Sequence, residues 1–103
     1  MHLQLTDTIE AQGGFEVSNA IIRLKAFTAT EIEVEGEQKI NLYIGAQLFK
    51  SLADFESGAS ELTNTNQSST FNYVLDYDLD KCFSFQCVYE LLAETESNLE
   101  LIN

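Results

Sequence analysis

The richest chemistry in the chain is Asp76-Tyr77-Asp78-Leu79-Asp80, three carboxylates at alternate positions. A calcium loop of the EF-hand kind opens this way, but it also needs glycine at its sixth position for the sharp turn and a bidentate glutamate at its twelfth. Counted from Asp76, those places hold Lys81 and Cys87, so the pattern fails twice. Each carboxylate has a structural use instead. Asp76 suits the polar face of a strand, and Asp78 or Asp80 can cap a following helix and complement its dipole.

Glu31, Glu33 and Glu35 also alternate. Carboxylates on one strand face stand roughly 7 Å apart, too wide for one ion without a partner strand. The facing positions expected from the sequence, Asn41, Tyr43 and Gln47, offer only weak oxygen ligands, so the ladder reads as a solvated outer face. Paired carboxylates for glycoside hydrolysis would need an apolar pocket to raise one pKa, and nothing in the spacing marks one. Cys82 and Cys87 are too few for a disulfide framework, and five residues apart on a helix they face different ways, which suits reduced, packed thiols. His2 is the single histidine. It removes a Cys-His catalytic pair and a zinc cluster from consideration. The expectation is therefore no catalytic group, no metal and no cofactor. The Asn66-Gln67-Ser68 sequon reads as chance.

Seventeen acidic against five basic residues give a net charge of −12. Nucleic-acid and anionic-membrane affinity come mostly from Lys and Arg, so neither partner is expected. No apolar run approaches the roughly 20 residues that span a bilayer. The start, "MHLQLTDTIE", has neither the basic nor the apolar part of a secretory signal, which predicts synthesis in a cytoplasm. Apolar residues at 45% and aromatics at 11% suffice for one modest core, so residues 1–103 are expected to form a single domain.

The elements that must carry these residues are mostly extended. Leu3, Leu5, Ile9 and Ala11 share odd positions, as in a strand with one buried face, and residues 1–12 read equally as an ordinary edge strand of the chain's own sheet or as a docking arm, ended by Gln12-Gly13-Gly14. "FEVSNAIIRLKAF" reads as extended through Phe27. In "TEIEVEGEQKINLYIGAQLF" two alternating runs predict a hairpin. A loop of Gly36-Glu37-Gln38 pairs Val34 with Ile40, Ile32 with Leu42 and Glu35 with Lys39. Ser51 followed by Asp54 is a capping box for a single helical turn ended by Gly58. Residues 57–70 read as a flexible polar loop. Phe71, Tyr73, Leu75 and Tyr77 alternate in another strand. Phe85, Val88, Tyr89 and Leu92 have helical spacing, widened by Leu91, and predict an amphipathic helix over 81–95, before a short final strand in "NLELIN". The fold expected is mainly β: an antiparallel sheet or small sandwich, with that helix packed on it through Phe85, Val88, Tyr89 and Leu92.

The order of these segments, "NAIIRLKAF", the charged hairpin ending "INLYIGAQLF", "KSLADFESGASEL", "FNYVLDYDLD" and "CVYELLAETESNLELI", resembles small virion proteins of tailed bacteriophages, particularly those infecting Bacteroidota. In those proteins antiparallel strands precede a helix with a Tyr-x-x-Leu core and a short closing strand. Tyr89 and Leu92 match that core, and Asn19-Ala20 with Ile22 matches the start of the first long strand. The likeness covers about residues 15–102. This chain has no proline, where such helices often end in Leu-Pro. The resemblance implies a tail, baseplate or head-to-tail component, made in the bacterial host cytoplasm and working in the virion by symmetric association with copies of itself and other virion proteins. Leu3, Leu5, Ile9, Phe15 and Val17, on the arm and beside its glycine joint, are the candidates for contacts between subunits, since such strands can complete a neighbour's sheet. An acidic module that occupies a basic partner protein is the alternative.

Overall fold

The computed structural model describes residues 1–11, 14–58, 61–62, 65–78 and 83–102. The elements are β1 (His2–Leu5), β2 (Ile9–Ala11), β3 (Phe15–Val17), β4 (Ile21–Val34), β5 (Glu37–Phe49), α1 (Leu52–Ser57), β6 (Thr70–Asp76), α2 (Phe85–Thr95) and β7 (Leu99–Ile102). Five strands form one sheet in the order β6-β5-β4-β1-β7, and every neighbouring pair is antiparallel. β2 and β3 make a separate two-stranded ribbon. The chain is thus mainly β with a helix near its C-terminus, as its periodicities predict. That helix carries the chain from one edge strand, β6, to the other, β7.

Alternation explains which face is buried. Leu3 and Leu5 of β1, Ile22 and Leu24 of β4, Leu42, Ile44 and Leu48 of β5, Phe71 of β6 and Leu99 of β7 form one cluster with Val88, Tyr89 and Leu92 of α2. The stripe at helical spacing lies on the apolar side of the sheet, and burying it supplies the main drive for folding. The helix begins at Phe85, later than its apolar pattern suggests, because the Ser84 hydroxyl accepts the Cys87 N–H at 3.2 Å and fixes the N-terminus there. Ser84, and not Asp78 or Asp80, is therefore the cap; Asp80 lies outside the described residues. Phe85 is 49% exposed, yet its ring meets Phe27 edge-on at 5.1 Å.

The opposite face is covered at one end only. There Ser51 caps α1 by accepting the Asp54 N–H, and Gly58 ends the helix in the left-handed region at φ 76°. Phe55 of this short helix packs edge-on to Phe49 at 5.3 Å, under the Arg23 guanidinium at 5.7 Å.

The long β4–β5 hairpin corrects the expected register. Its loop is two residues, Glu35 at φ 52° and Gly36 at φ 83°, closing on the pair Val34 and Glu37. Positive φ at both loop positions suits the right-handed twist of the flanking strands, which the three-residue loop would not match. Ile40 consequently faces Glu31, and Lys39 faces Ile32. A bulge between Leu24 and Ala26 also shifts the parity of β4. Beyond it the odd residues Phe27, Ala29 and Glu31 lie on the α2 side with Ile40, Leu42 and Ile44, while Ile32 and Val34 lie on the open side. Val34 is exposed and Ile32 half-buried.

The N-terminal segment is integrated into the sheet and does not project as an arm. β1 sits between β4 and β7, pairing Leu3 with Ile22 and with Leu101. Extension from Phe15 to Phe27 is interrupted at Asn19, whose φ of 58° turns the chain from the ribbon into β4. Of the segment expected as a flexible loop, residues 59–60 and 63–64 lie outside the described ones. Its described part is tied at two points: the Leu62 N–H reaches the Leu48 carbonyl at 2.7 Å, and Asn66 exchanges two bonds of 2.9 Å with the Glu10 backbone. The molecule measures 46 × 26 × 22 Å.

Candidate functional site

The carboxylates singled out in the sequence are spread along the hairpin. Asp76 ends β6 and forms an ion pair with Lys39 of β5 at 2.7 Å, because the register sets those two positions opposite each other. The hydrogen bond and charge of Lys39 hold the Asp76 carboxyl below its usual range, and the same contact raises Lys39. Tyr77 donates to Glu31 Oε1 at 3.3 Å, across the face of β5. Partial desolvation and then the Glu31 charge raise its phenol. Glu31, Ile40, Tyr77, Asp78 and Phe83 line a recess of about 210 Å³. Glu33 faces Gln38 and Glu35 stands in the turn, so the ladder is not opposite Asn41, Tyr43 and Gln47. Among the described residues no three His, Cys, Asp or Glu side chains are grouped to hold a metal ion. Lys81 and Cys82 lie outside those residues. Cys87 carries a free thiol on the exposed side of α2, not a packed one, because Val88, Tyr89 and Leu92 take the sheet side.

His2 is a buried member of β1, paired with Ile102, its ring 6.2 Å from that of Phe55. Burial lowers its pKa, so the imidazole is neutral at pH 7. The hydroxyl of Tyr73 donates to Glu96 Oε1 at 2.6 Å, fastening β6 to the end of α2. Burial first, and the adjacent carboxylate second, push that phenol far above its ordinary value. In both groups burial disfavours the charged form, and both pack between elements of the fold.

The candidates for subunit contact separate sharply. Leu3 and Leu5 are fully buried in the chain's own core, and Ile9 and Val17 face each other across the β2–β3 ribbon, both buried. Those four are covered within this chain. Phe15 is different. Its side chain is 71% exposed at the lip of a groove of about 700 Å³, with Ala11, Val17 and Leu62 as apolar lining and Glu16, Lys50 and Glu61 as charged lining. The groove sets one cation, Lys50, among two carboxylates beside apolar side chains.

The remaining surface of interest lies on backbone. β1 pairs with β4 at Ile21 and Ile22, so from Phe27 to Val34 no strand among the described residues lies beside the outer side of β4. Among the described residues the outer side of β6 has none along its whole length. Between these edges the sheet is three strands wide, and its open face presents Tyr43 and Val74, about half exposed, among Thr28, Thr30 and Asn72. Sequence patterning did not mark these edges, since an open edge depends on where β1 stops. Comparison with protein-family models, with curated proteins and with solved structures found no match.

Proposed function

We propose that this chain is a non-enzymatic structural protein that self-assembles into a symmetric oligomer, in the role of a tailed-phage virion component of the tail, baseplate or head-to-tail region. One observation carries the assembly part: among the described residues the far half of the sheet is three strands wide, with unpaired edges on both sides and an open face. Such a tongue leaves N–H and C=O groups that another strand can satisfy. Closed symmetry is the usual way for copies of one chain to do so. The virion role rests on the layout resemblance described above, with production in the host cytoplasm and other virion proteins as neighbours. No helix among the described residues is long and apolar enough to cross a membrane. The acidic surface makes a basic protein the second reading, favoured by the net charge of −12.

Light scattering over a range of concentrations tests the first reading. A mass that rises reversibly above the monomer supports it. A monomer throughout, together with a complex with a basic protein that dissolves in moderate salt, would replace it with the second.

A further inference from the structure

Of the open edges, one lacks protection. β7 is only four residues long, and of its outward backbone groups the Leu99 N–H is already bonded to the Glu96 carbonyl at 3.2 Å. The open stretch of β4 carries Glu31 and Glu33 and runs into Glu35 and Glu37, so a copy laid against it would oppose carboxylate to carboxylate. β6 has neither defence. It is seven residues of "TFNYVLD", without bulge or proline, and its one charge, Asp76, is already paired with Lys39.

The bonding phase of β6 follows from one contact. The Ala46 N–H reaches the Ser69 carbonyl at 2.8 Å, so Ser69, Phe71, Tyr73 and Leu75 bond inward to β5. The backbone groups of Thr70, Asn72, Val74 and Asp76 then point outward. Those of Thr70 are occupied by Ser68, whose hydroxyl accepts its N–H at 3.3 Å and donates to its carbonyl at 2.8 Å. Among the described residues nothing bonds to the outward groups of Asn72 and Val74.

We infer that β6 is the self-association edge, pairing antiparallel with β6 of a second copy about a two-fold axis at Tyr73. This inference rests on the self-assembly reading above. In that register Asn72 faces Val74 of the second copy, Phe71 faces Leu75, Thr70 faces Asp76 and Tyr73 faces its own counterpart. All four outward residues are used, and no like charges meet. The inner rungs form at once, and the outer ones form when the Ser68 hydroxyl gives way. A chain of net charge −12 repels itself almost everywhere, and β6 with its neutralised end is where that repulsion is least. The join makes a continuous six-stranded tongue, β4-β5-β6 followed by its symmetry copy, and joins the two open faces that carry Tyr43 and Val74.

Sedimentation velocity over a hundredfold range of concentration, on the wild type and on Val74→Pro, tests the edge. Val74 donates no inward bond, and proline is tolerated on an edge strand, so the variant removes an outward donor while leaving the monomer's ladder whole. The expected result is a dimer constant weakened at least tenfold. A second arm uses Tyr73→Cys with Cys82→Ser and Cys87→Ser. The axis would bring the two Cα atoms to roughly 4.5 Å, within disulfide reach, and oxidation should give a covalent dimer. An oligomer that forms equally well in Val74→Pro, or that persists without a cross-link at position 73, overturns the edge assignment alone. A wild type that stays monomeric overturns the assembly reading with it.

Discussion

The backbone N–H of Leu24 donates to the hydroxyl of Tyr89 at 2.9 Å, across 65 residues of chain. Leu24 stands where β4 bulges and where β1 has already ended, so its amide has no strand to bond to. The helix supplies the missing acceptor, and with it the point at which α2 locks onto the sheet.

Replacing Tyr89 by Phe keeps the ring and removes that acceptor. A buried amide left unsatisfied costs about 1–3 kcal/mol, so urea unfolding of Tyr89→Phe should show a midpoint lowered accordingly with an unchanged slope. An unchanged midpoint would mean that water reaches the amide and that the contact is dispensable.

The Tyr73–Glu96 contact sets an alkaline limit. A phenol whose folded pKa lies above its unfolded value of about 10 adds stability below that pH, and the contribution drains away as pH rises beyond it. Ultraviolet titration should therefore find the Tyr73 phenol ionising only as the fold opens. Tyr73→Phe should cost about 1 kcal/mol at neutral pH and remove that delayed step. If the Tyr73 phenol ionises at its ordinary value while the protein stays folded, the contact does not survive in solution.

The two-residue turn can be checked by mutation. Gly36 stands at φ 83° with nothing within 4 Å of an added Cβ, so Gly36→Ala meets conformational cost alone, about 1 kcal/mol. Glu35, held at φ 52°, is the strained partner, and Glu35→Asn should stabilise by a few tenths of a kcal/mol or more. A three-residue loop would make both changes nearly neutral in thermal melts.

Much of this fold could be read from spacing, and the misreadings share a cause. Ser51, Asp54 and Gly58 specify α1 locally, and Val88, Tyr89 and Leu92 specify the buried stripe of α2. The alternation of Leu3 and Leu5 shows a strand with one buried side. It does not show whether that strand lies inside or outside the sheet, since β1 is held by Ile22 and Leu101 from distant segments. The hairpin register failed because Ile32-Val34 and Ile40-Leu42 alternate equally well in either pairing. The bulge at Leu24 and Ala26 has no glycine to announce it. As for the candidate site, Phe15 is the one predicted contact residue left on the surface. The open edge of β6 is a property of what is absent beside it, which no local pattern encodes.

Ionic strength separates the two functional readings. Salt shortens the screening length from about 10 Å at 0.1 M to about 3 Å at 1 M, weakening the mutual repulsion of acidic copies. Self-association through β6 should therefore strengthen with added salt, whereas binding to a basic partner should weaken. Chromatographic mass in low and high salt reports the sign.

Amide hydrogen exchange at Asn72 and Val74 addresses the unpaired edge itself. Their N–H groups should exchange freely in dilute protein and become protected as concentration rises, while the inward amides of Phe71 and Tyr73 stay protected throughout. Exchange at Asn72 and Val74 that is equally fast at every concentration, in a sample whose mass has risen, would show that copies meet elsewhere; equally fast exchange with no rise in mass would leave this chain without the assembly proposed for it.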